Sequence, residues 1–449
     1  MTRPASADTT HPAPNTGQEG SEAGLIVVQW LHPALLTSPL VDGVIFGRDA
    51  SATVRLSGHE ASRRHAEVRR AGPVPILRDL ESRNGTWVNG HRITERPIGP
   101  GDVLRIGEWT GIVLELPENG VTPALQELGM NWYGSATLAR VVEPVRRVAT
   151  TDLPVIVEGE TGVGKEGMAR ALHTWSARSG PFVAVNCAAI PAAMAEGELF
   201  GYRKGAFTGA DRSNPGYFRA AHGGTLFLDE VLELPPPVQS KLLRVLEQHE
   251  VQPLGEASPV SVDVRVVCAT QEPLAQAVSD RRFRADLRAR LDGLTVVLPP
   301  LRSRREDIFP LFTRILRDHC GDRIPEVDPK LVEALLLYDW PLNIRELVLL
   351  VRQLVAIHGN ERLWRRSMLP ERLRETPSEA SASHRHPTPV RASTSDEVAF
   401  DQLVDAIRQH GGNVSGAAAA LGISRSRAYR LLEAHPGFDI RSIRDEPES

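Results

Sequence analysis

The chain has 449 residues, 41% hydrophobic and 24% charged, with a formal net charge of -4. That is a globular composition with length for about two to four domains, and it excludes a uniformly basic polymer binder while leaving room for one local nucleic-acid-binding module. No run approaches the roughly 18–20 apolar residues of a spanning helix, and Cys187, Cys268 and Cys320 lack metal-type spacing.

Residues 1–23 carry Pro, Thr and Ser without an apolar run, so they read as a disordered tail and not as a signal peptide. With Cys187 and Cys268 following apolar runs, as buried thiols do, the expected location is the cytoplasm, with no membrane partner.

From Gly24 to residue 117, short apolar runs alternate with turn signals, at 25–30, 44–46, 53–56, 66–68, 76–77, 86–88, 103–106 and 112–116. This pattern predicts an all-β sandwich. Its loops hold Gly47-Arg48, Ser62-Arg63-Arg64-His65 and Ser82-Arg83-Asn84-Gly85-Thr86. Arg offers a charge-assisted fork to an anion and Ser and Asn offer neutral donors; each cluster alone is also ordinary turn chemistry. In this order they resemble a forkhead-associated (FHA) domain over about 24–117. The resemblance implies phosphothreonine-peptide binding, with Arg48, Ser62 and Asn84 on the phosphate, Arg63 and Arg83 at flanking positions, and His65 in a structural role.

Residues 118–131 read as a connector with one helical turn. Apolar residues at 138, 141, 142, 145 and 148 then predict a helix. A buried-strand run at 153–157 leads into Gly159, Glu160, Thr161, Gly162, Val163, Gly164, Lys165 and Glu166. Strand, glycine loop, lysine and helix is the context of a P-loop, whose backbone N–H groups and helix N-terminus receive phosphates, with Lys165 on the β- and γ-phosphates. Glu166 stands where the generic motif has the Ser or Thr that touches Mg²⁺.

Gly205, Ala206, Phe207, Thr208, Gly209 and Ala210 set one aromatic among small residues, flanked by Arg203, Lys204, Asp211 and Arg212. The stretch is either a turn whose Phe folds inward or a loop presenting an aromatic to a partner. Further on, the apolar strand at 225–228 ends in Asp229 and Glu230, and that at 262–269 ends in Thr270 and Gln271. Carboxylates at the C-terminal end of parallel strands are where such a sheet does ligand chemistry. Asp229 suits Mg²⁺ through water, Glu230 suits the orientation or deprotonation of an attacking water, and Thr270 and Gln271 suit a γ-phosphate contact. Arg284 and Arg290 lie in a basic segment and are candidates for completing a neighbour's site. Residues 302–372 read as helices, with Pro341 and Asn343 at one helix start and Arg345 in its first turn, either as surface charge or as a nucleotide contact.

Over about 132–372 these motifs resemble the AAA+ domain of bacterial sigma-54-dependent transcriptional activators, with a helical lid at about 302–372. The resemblance implies ATP and Mg²⁺ as ligands and assembly from dimer to ring, usually a hexamer. It implies a Gly205–Ala210 loop that contacts sigma-54 RNA polymerase. It gives Asn186 the pairing with catalytic Glu230, Arg284 and Arg290 the trans-acting roles, and Arg345 the second sensor. Glu166 is family-typical. Gln271 replaces the usual Asn and Leu342 replaces a Gly, departures that put the first sensor and the start of the following helix in question.

Residues 373–397 are a flexible linker rich in Pro, Ser, Thr and Ala. From 398 to 440, Phe400, Leu403, Val404 and Ile407 form one apolar helix face, Gly411-Gly412 ends it, and a Gly422 turn leads to a helix capped by Ser424 that carries Arg425, Arg427, Tyr429 and Arg430. This helix-turn-helix layout resembles the Fis-type DNA-binding domain of such activators; which arginine reads a base is undecided, and Tyr429 fits a core or a phosphate contact. Residues 441–449 are a tail.

The expected fold is therefore an all-β sandwich, an α/β P-loop unit with a helical lid, and an all-α DNA-binding module. The expected function is sigma-54-dependent activation from upstream DNA, driven by ATP hydrolysis and set by a phosphothreonine partner such as a Ser/Thr kinase, in the cytoplasm and on the nucleoid when DNA-bound. The competing reading is a non-hydrolysing FHA scaffold or DNA-bound regulator with a degenerate ATPase, for which Gln271 and Leu342 are the support.

Overall fold

The computed structural model describes residues 25–70, 72, 74–116, 125–207, 210–321, 323–375, 403–404 and 407. The chain divides into two compact units, Met1–Ala382 and Ser383–Ser449. In the second unit Leu403, Val404 and Ile407 are helical and buried, in line with the apolar face read from their spacing. The N-terminal tail, residues 376–397 of the expected linker, and the segment with Ser424, Arg425, Arg427 and Arg430 lie outside the described residues, while Leu373 and Arg374, expected in that linker, continue a short helix that begins at Glu371.

The first unit begins as a β-sandwich. One sheet has the order β2-β1-β11-β10-β7-β8 and the other β4-β3-β5-β6-β9. In chain order these are β1 (Leu25–His32), β2 (Leu36–Pro39), β3 (Ile45–Gly47), β4 (Val54–Arg55), β5 (Ala66–Arg70), β6 (Pro75–Asp79), β7 (Thr86–Val88), β8 (His91–Ile93), β9 (Glu95–Pro97), β10 (Val103–Ile106) and β11 (Trp109–Leu116). Each expected apolar run overlaps a strand. The additional strands β2, β8 and β9 are short and mostly polar, and are held by cross-strand pairing that composition does not announce. Trp30, Phe46, Leu77, Leu104, Ile106 and Val113 fill the space between the sheets. Trp30 meets Phe46 and Trp109 edge-on at 5.6 and 6.0 Å, the geometry that ring quadrupoles favour.

The connector departs from expectation. Its described part is a hairpin, β12 (Gln126–Gly129) and β13 (Trp132–Gly134). Met130 and Asn131 between them have φ of 48° and 60°, so the chain reverses through a left-handed turn where a helical turn was read.

The α/β unit follows: α1 (Ala136–Arg147), β14 (Val155–Glu158), α2 (Lys165–Trp175), β15 (Phe182–Asn186), α3 (Ala195–Phe200), α4 (Tyr217–Ala220), β16 (Thr225–Asp229), α5 (Pro236–Gln248), β17 (Glu250–Val251), β18 (Val260–Ser261), β19 (Arg265–Thr270), α6 (Leu274–Ser279), α7 (Ala285–Leu291) and β20 (Leu294–Val297). The main sheet is parallel, in the order β15-β16-β19-β14-β20. β16 and β19 are apolar and buried on both faces, because helices cover both sides of a parallel sheet. The loops after β14, β16 and β19 therefore open along one edge.

The lid comprises α8 (Ile308–Cys320), β21 (Glu326–Val327), α9 (Pro329–Leu337), α10 (Asn343–His358), β22 (Leu363–Trp364) and α11 (Glu371–Arg374). Asp328 caps α9 by accepting from Lys330 N at 2.7 Å, with Pro329 at the first helical position. Leu342, the residue in place of Gly, has φ of -105°. That angle is open to any residue, and α10 still starts at Asn343. No described helix is long and apolar enough to cross a membrane.

Candidate functional site

A cleft of about 350 Å³ opens at the strand ends, lined by Thr161, Gly162, Gly164, Lys165, Glu166, Asn186, Asp229, Glu230, Gln271 and Arg345, with Trp132, Ile344 and Val348 as apolar wall. It joins P-loop, strand-end acids and lid in one place. Thr270 is buried next to it, its hydroxyl turned onto Glu272 O at 2.9 Å.

The P-loop is shaped for close approach. Gly162 has φ of +75°, and a Cβ there would collide with Leu342 O of the lid. Lys165 is buried and donates to Gly159 O at 2.7 Å, with Glu230 Oε1 at 4.0 Å. Burial pulls its pKa down against the pull of Glu230 and Asp229. Asp229 moves the other way: burial and then the neighbouring Glu230 charge raise it. A desolvated carboxylate beside a second carboxylate is relieved by a cation.

Glu230 has φ of 52° and begins a one-turn 3-10 segment. Its Oε1 accepts from Gln271 Nε2 at 2.7 Å. Asn186, expected from the resemblance to hold this carboxylate, instead accepts from Ala188 N at 2.9 Å and caps the turn after β15. Gln271 reaches Glu230 because β19 lies beside β16 and its amide is one methylene longer than Asn. Burial pushes the Cys187 thiol up to about 12 and the Cys268 thiol upward as well, so neither is poised as a nucleophile.

Groups that sequence reasoning left out tie the lid to the P-loop. Asn343, fully buried, accepts from Leu301 N at 2.7 Å and donates to Thr161 O at 3.0 Å and to Glu160 at 3.2 Å. Arg302 Nη1 donates to Glu160 at 2.8 Å, and Arg304 Nη2 to Val163 O at 2.9 Å. The hydrogen bonds from Arg302, joined by that from Asn343, hold Glu160 below the ordinary carboxylate range. Asn343 was read from its helix-start position alone; the run Arg302-Ser-Arg304-Arg305 was the available signal for the others.

The remaining candidates sit apart from this cleft. Arg284 pairs with Asp286 on α7 at 2.6 Å, and Arg290 donates to Leu246 O at 3.2 Å; both are exposed. Within one chain they do not meet the P-loop cleft. In the loop 205–210, Gly205 N donates to Ala210 O at 2.9 Å, so the loop is closed at its base. Phe207 is 43% exposed and rests edge-on against Tyr202 at 5.0 Å. Thr208 and Gly209 lie outside the described residues.

The sandwich loops converge as their residue types suggested. Arg48 N donates to Ser62 O at 3.0 Å, Arg83 N to Ser62 Oγ at 3.1 Å, and Asn84 Nδ2 to Glu60 O at 2.8 Å. The side chains of Arg48, Arg63, Arg83 and Asn84 are exposed, with Ser62 half-buried among them. Gly47 permits this approach, since a Cβ there would run into Arg63 O. His65 is fully buried: Nδ1 accepts from Ser62 N at 3.0 Å, and Nε2 therefore carries the proton toward Gly85 O at 3.2 Å. Burial lowers its pKa. Asp79, not singled out in the sequence, accepts from Ser82 Oγ and Thr86 Oγ1 at 2.6 Å each. Burial raises its pKa, but these hydrogen bonds outweigh that and leave it lowered.

Trp132 tests the fit of a nucleotide. Its indole Nε1–H is buried at the cleft wall without a protein partner among the described residues. The Trp132 ring, Ile344 and Val348 beside a glycine loop and Lys165 suit a nucleotide, with an apolar wall for a base and the loop for phosphates. Asp229, Glu230 and Glu166 are hard oxygen donors of the kind Mg²⁺ takes together with phosphate oxygens and water.

Comparison with known proteins agrees with this layout. Residues 132–297 match the Sigma-54 interaction domain, 44–107 the FHA domain and 302–386 the AAA+ ATPase lid domain. The DNA-binding transcriptional activator HyfR of Escherichia coli (strain K12) is 41% identical over 329 residues, which are 69% of this chain and 48% of that protein. The transcriptional regulatory protein ZraR of Klebsiella oxytoca is 42% identical over 315 residues, 69% of this chain and 70% of that protein. NtrX from Brucella abortus, crystallised in complex with ATP, superposes with a TM-score of 0.50 at 31% identity, covering 69% of this chain and 70% of that one. The chain spans about half the length of HyfR and more than two thirds of ZraR.

Proposed function

The chain belongs to the sigma-54-dependent transcriptional regulators, and on that premise we propose that it binds ATP with Mg²⁺, hydrolyses it in a self-assembled ring, and uses the motion to remodel sigma-54 RNA polymerase from an upstream DNA site. The observation that carries this is the convergence of Lys165, Asp229, Glu230, Gln271 and Arg345 on one cleft at the strand ends. Lys165 exchanges Gly159 O for phosphate oxygens, and Arg345 meets the nucleotide from the lid. Asp229 would hold Mg²⁺ together with phosphate oxygens, and the ion would supply charge neutralisation. Glu230 takes the proton of the attacking water, and Gln271 and Thr270 read the γ-phosphate end. Arg284 and Arg290, exposed and distant from their own P-loop cleft, supply trans charge to a neighbour's nucleotide.

The loop 205–210 is the polymerase contact, with Phe207 at its tip. Ser424, Arg425, Arg427 and Arg430 contact DNA. Arg48, Ser62 and Asn84 bind a phosphothreonine of a partner protein, flanked by Arg63 and Arg83, and thereby set activity. Phosphate release and open-complex formation by the full chain test the reading together. Glu230→Gln should abolish both. A wild-type chain without turnover leaves the non-hydrolysing scaffold as the standing alternative.

A further inference from the structure

The sandwich has a second buried face. β10 is Val103-Leu104-Arg105-Ile106, and all its residues are buried. Leu104 and Ile106 point into the sandwich core. By strand alternation Val103 and Arg105 point the other way, where an isolated sandwich would meet water. They meet the lid. Val103, with Leu31 and Ile112, joins a cluster that includes Ile308, Phe309 and Leu331. Arg105, 6% exposed, donates through Nε to Glu333 Oε2 on α9 at 2.8 Å, and Thr110 Oγ1 donates to Pro329 O at 3.2 Å.

This joint is continuous with both ligand sites. Trp87 faces Arg105 across the β7–β10 pair, and the guanidinium lies 4.5 Å above its ring. The Trp87 indole donates to Asn84 O at 3.2 Å, in the loop assigned to phosphate. On the lid side, Arg305 donates to Gly101 O at 3.2 Å, just ahead of β10. Its neighbour Arg304 holds Val163 O, and Arg302 holds Glu160. One short segment thus grips the P-loop and the sandwich together.

The chemistry of the joint suits a latch. A permanent joint is served best by apolar packing, since a buried ion pair repays its desolvation poorly. Glu333, 3% exposed, leaves Oε1 without a protein partner among the described residues. Beside the apolar contact of Val103, Leu31 and Ile112 with the lid, this half-satisfied ion pair is the part of the joint that opens at least cost. We propose that Arg105 and Glu333 form a latch in cis, linked to the phosphothreonine loops through Trp87, by which occupancy of those loops and occupancy of the nucleotide cleft alter each other's affinity. The proposal rests on the phosphothreonine reading of the loops. By linkage the two effects are equal.

The test uses the full chain, a fluorescent degenerate phosphothreonine peptide pool, and a non-hydrolysable ATP analogue. The peptide Kd is measured with and without saturating analogue, and the analogue Kd with and without saturating peptide. In the wild type both ratios depart from one by the same factor, about fivefold or more. Arg105→Met alone strands Glu333 and risks unfolding, so the deciding variant is Arg105→Met with Glu333→Leu, which removes both charges. It should bind each ligand separately, with ratios within about twofold of one. Wild-type ratios of one, or full coupling in the double variant, overturn the latch. Peptide binding that is absent, or undiminished by Arg48→Ala, overturns the phosphothreonine reading and the latch with it; binding without coupling overturns the latch alone.

Discussion

Gln271 donates its side-chain amide to Glu230 at 2.7 Å, across the strand ends of β19 and β16. If Gln271 reads the γ-phosphate as proposed, an incoming phosphate oxygen would compete for the same N–H, and nucleotide arrival would release the carboxylate. Replacing the amide leaves Glu230 without its positioning partner. Gln271→Ala should lower kcat for phosphate release by about 10- to 100-fold, with nucleotide affinity nearly unchanged. Gln271→Asn should recover little of this, being one methylene short. Asn186→Ala should cost less than Gln271→Ala, and the reverse order would assign the switching role to Asn186.

Phe207 is 43% exposed, and among the described residues its ring meets that of Tyr202. Truncating it removes little core. Phe207→Ala should keep ATP turnover within about twofold while open-complex formation falls below detection, read by permanganate footprinting. Retained open complex would show that the loop does not grip the polymerase through this ring.

His65 works as a neutral ring, because its Nδ1 must accept from Ser62 N. Its folded pKa is lowered by burial. A group with a depressed folded value stabilises fully above its unfolded value, about 6.5 for histidine, and loses that contribution as pH falls through the folded value. Histidine-resolved NMR should show this ring titrating below pH of about 6.5, and the sandwich should lose thermal stability on acidification. A titration above that value would contradict the assigned tautomer.

Gly162 combines a left-handed φ with contact against Leu342 O. Gly162→Ala should therefore weaken nucleotide binding, through about 1–3 kcal/mol of backbone strain plus displacement of the lid. Isothermal titration with an ATP analogue measures it; unchanged affinity would mean that the lid yields freely at this point.

The local parts of the cleft were legible because each is written in consecutive residues. Strand, glycine loop and Lys165 announce a phosphate cradle, and an apolar strand ending in Asp229 and Glu230 announces the acids beside it. Loop clusters around Arg48, Ser62 and Asn84 likewise announced the loops that converge on one another in the sandwich. What could not be read depends on neighbours distant in the chain. Gln271 looks like a weak first sensor until β19 is placed beside β16. Arg105 reads as one polar residue in an apolar strand, and its partner Glu333 lies on a helix of the lid. The hairpin 126–134 was missed because Met130 and Asn131 occupy its two turn positions, with Gly129 ahead of them and not within the Asn-Gly or Asp-Gly pair that advertises such turns.

The shared face of the sandwich and the lid also bears on how this chain is cut into pieces. Severing it at the connector before β12 would bare Val103 and Ile112 on one fragment and Phe309 and Leu331 on the other, and would leave Arg105 and Glu333 each without its counter-charge. Such fragments would self-associate through the bared face. An excised ATPase core would therefore lack part of the lid's packing, and its turnover would be no baseline for what a ligand of the sandwich adds or removes.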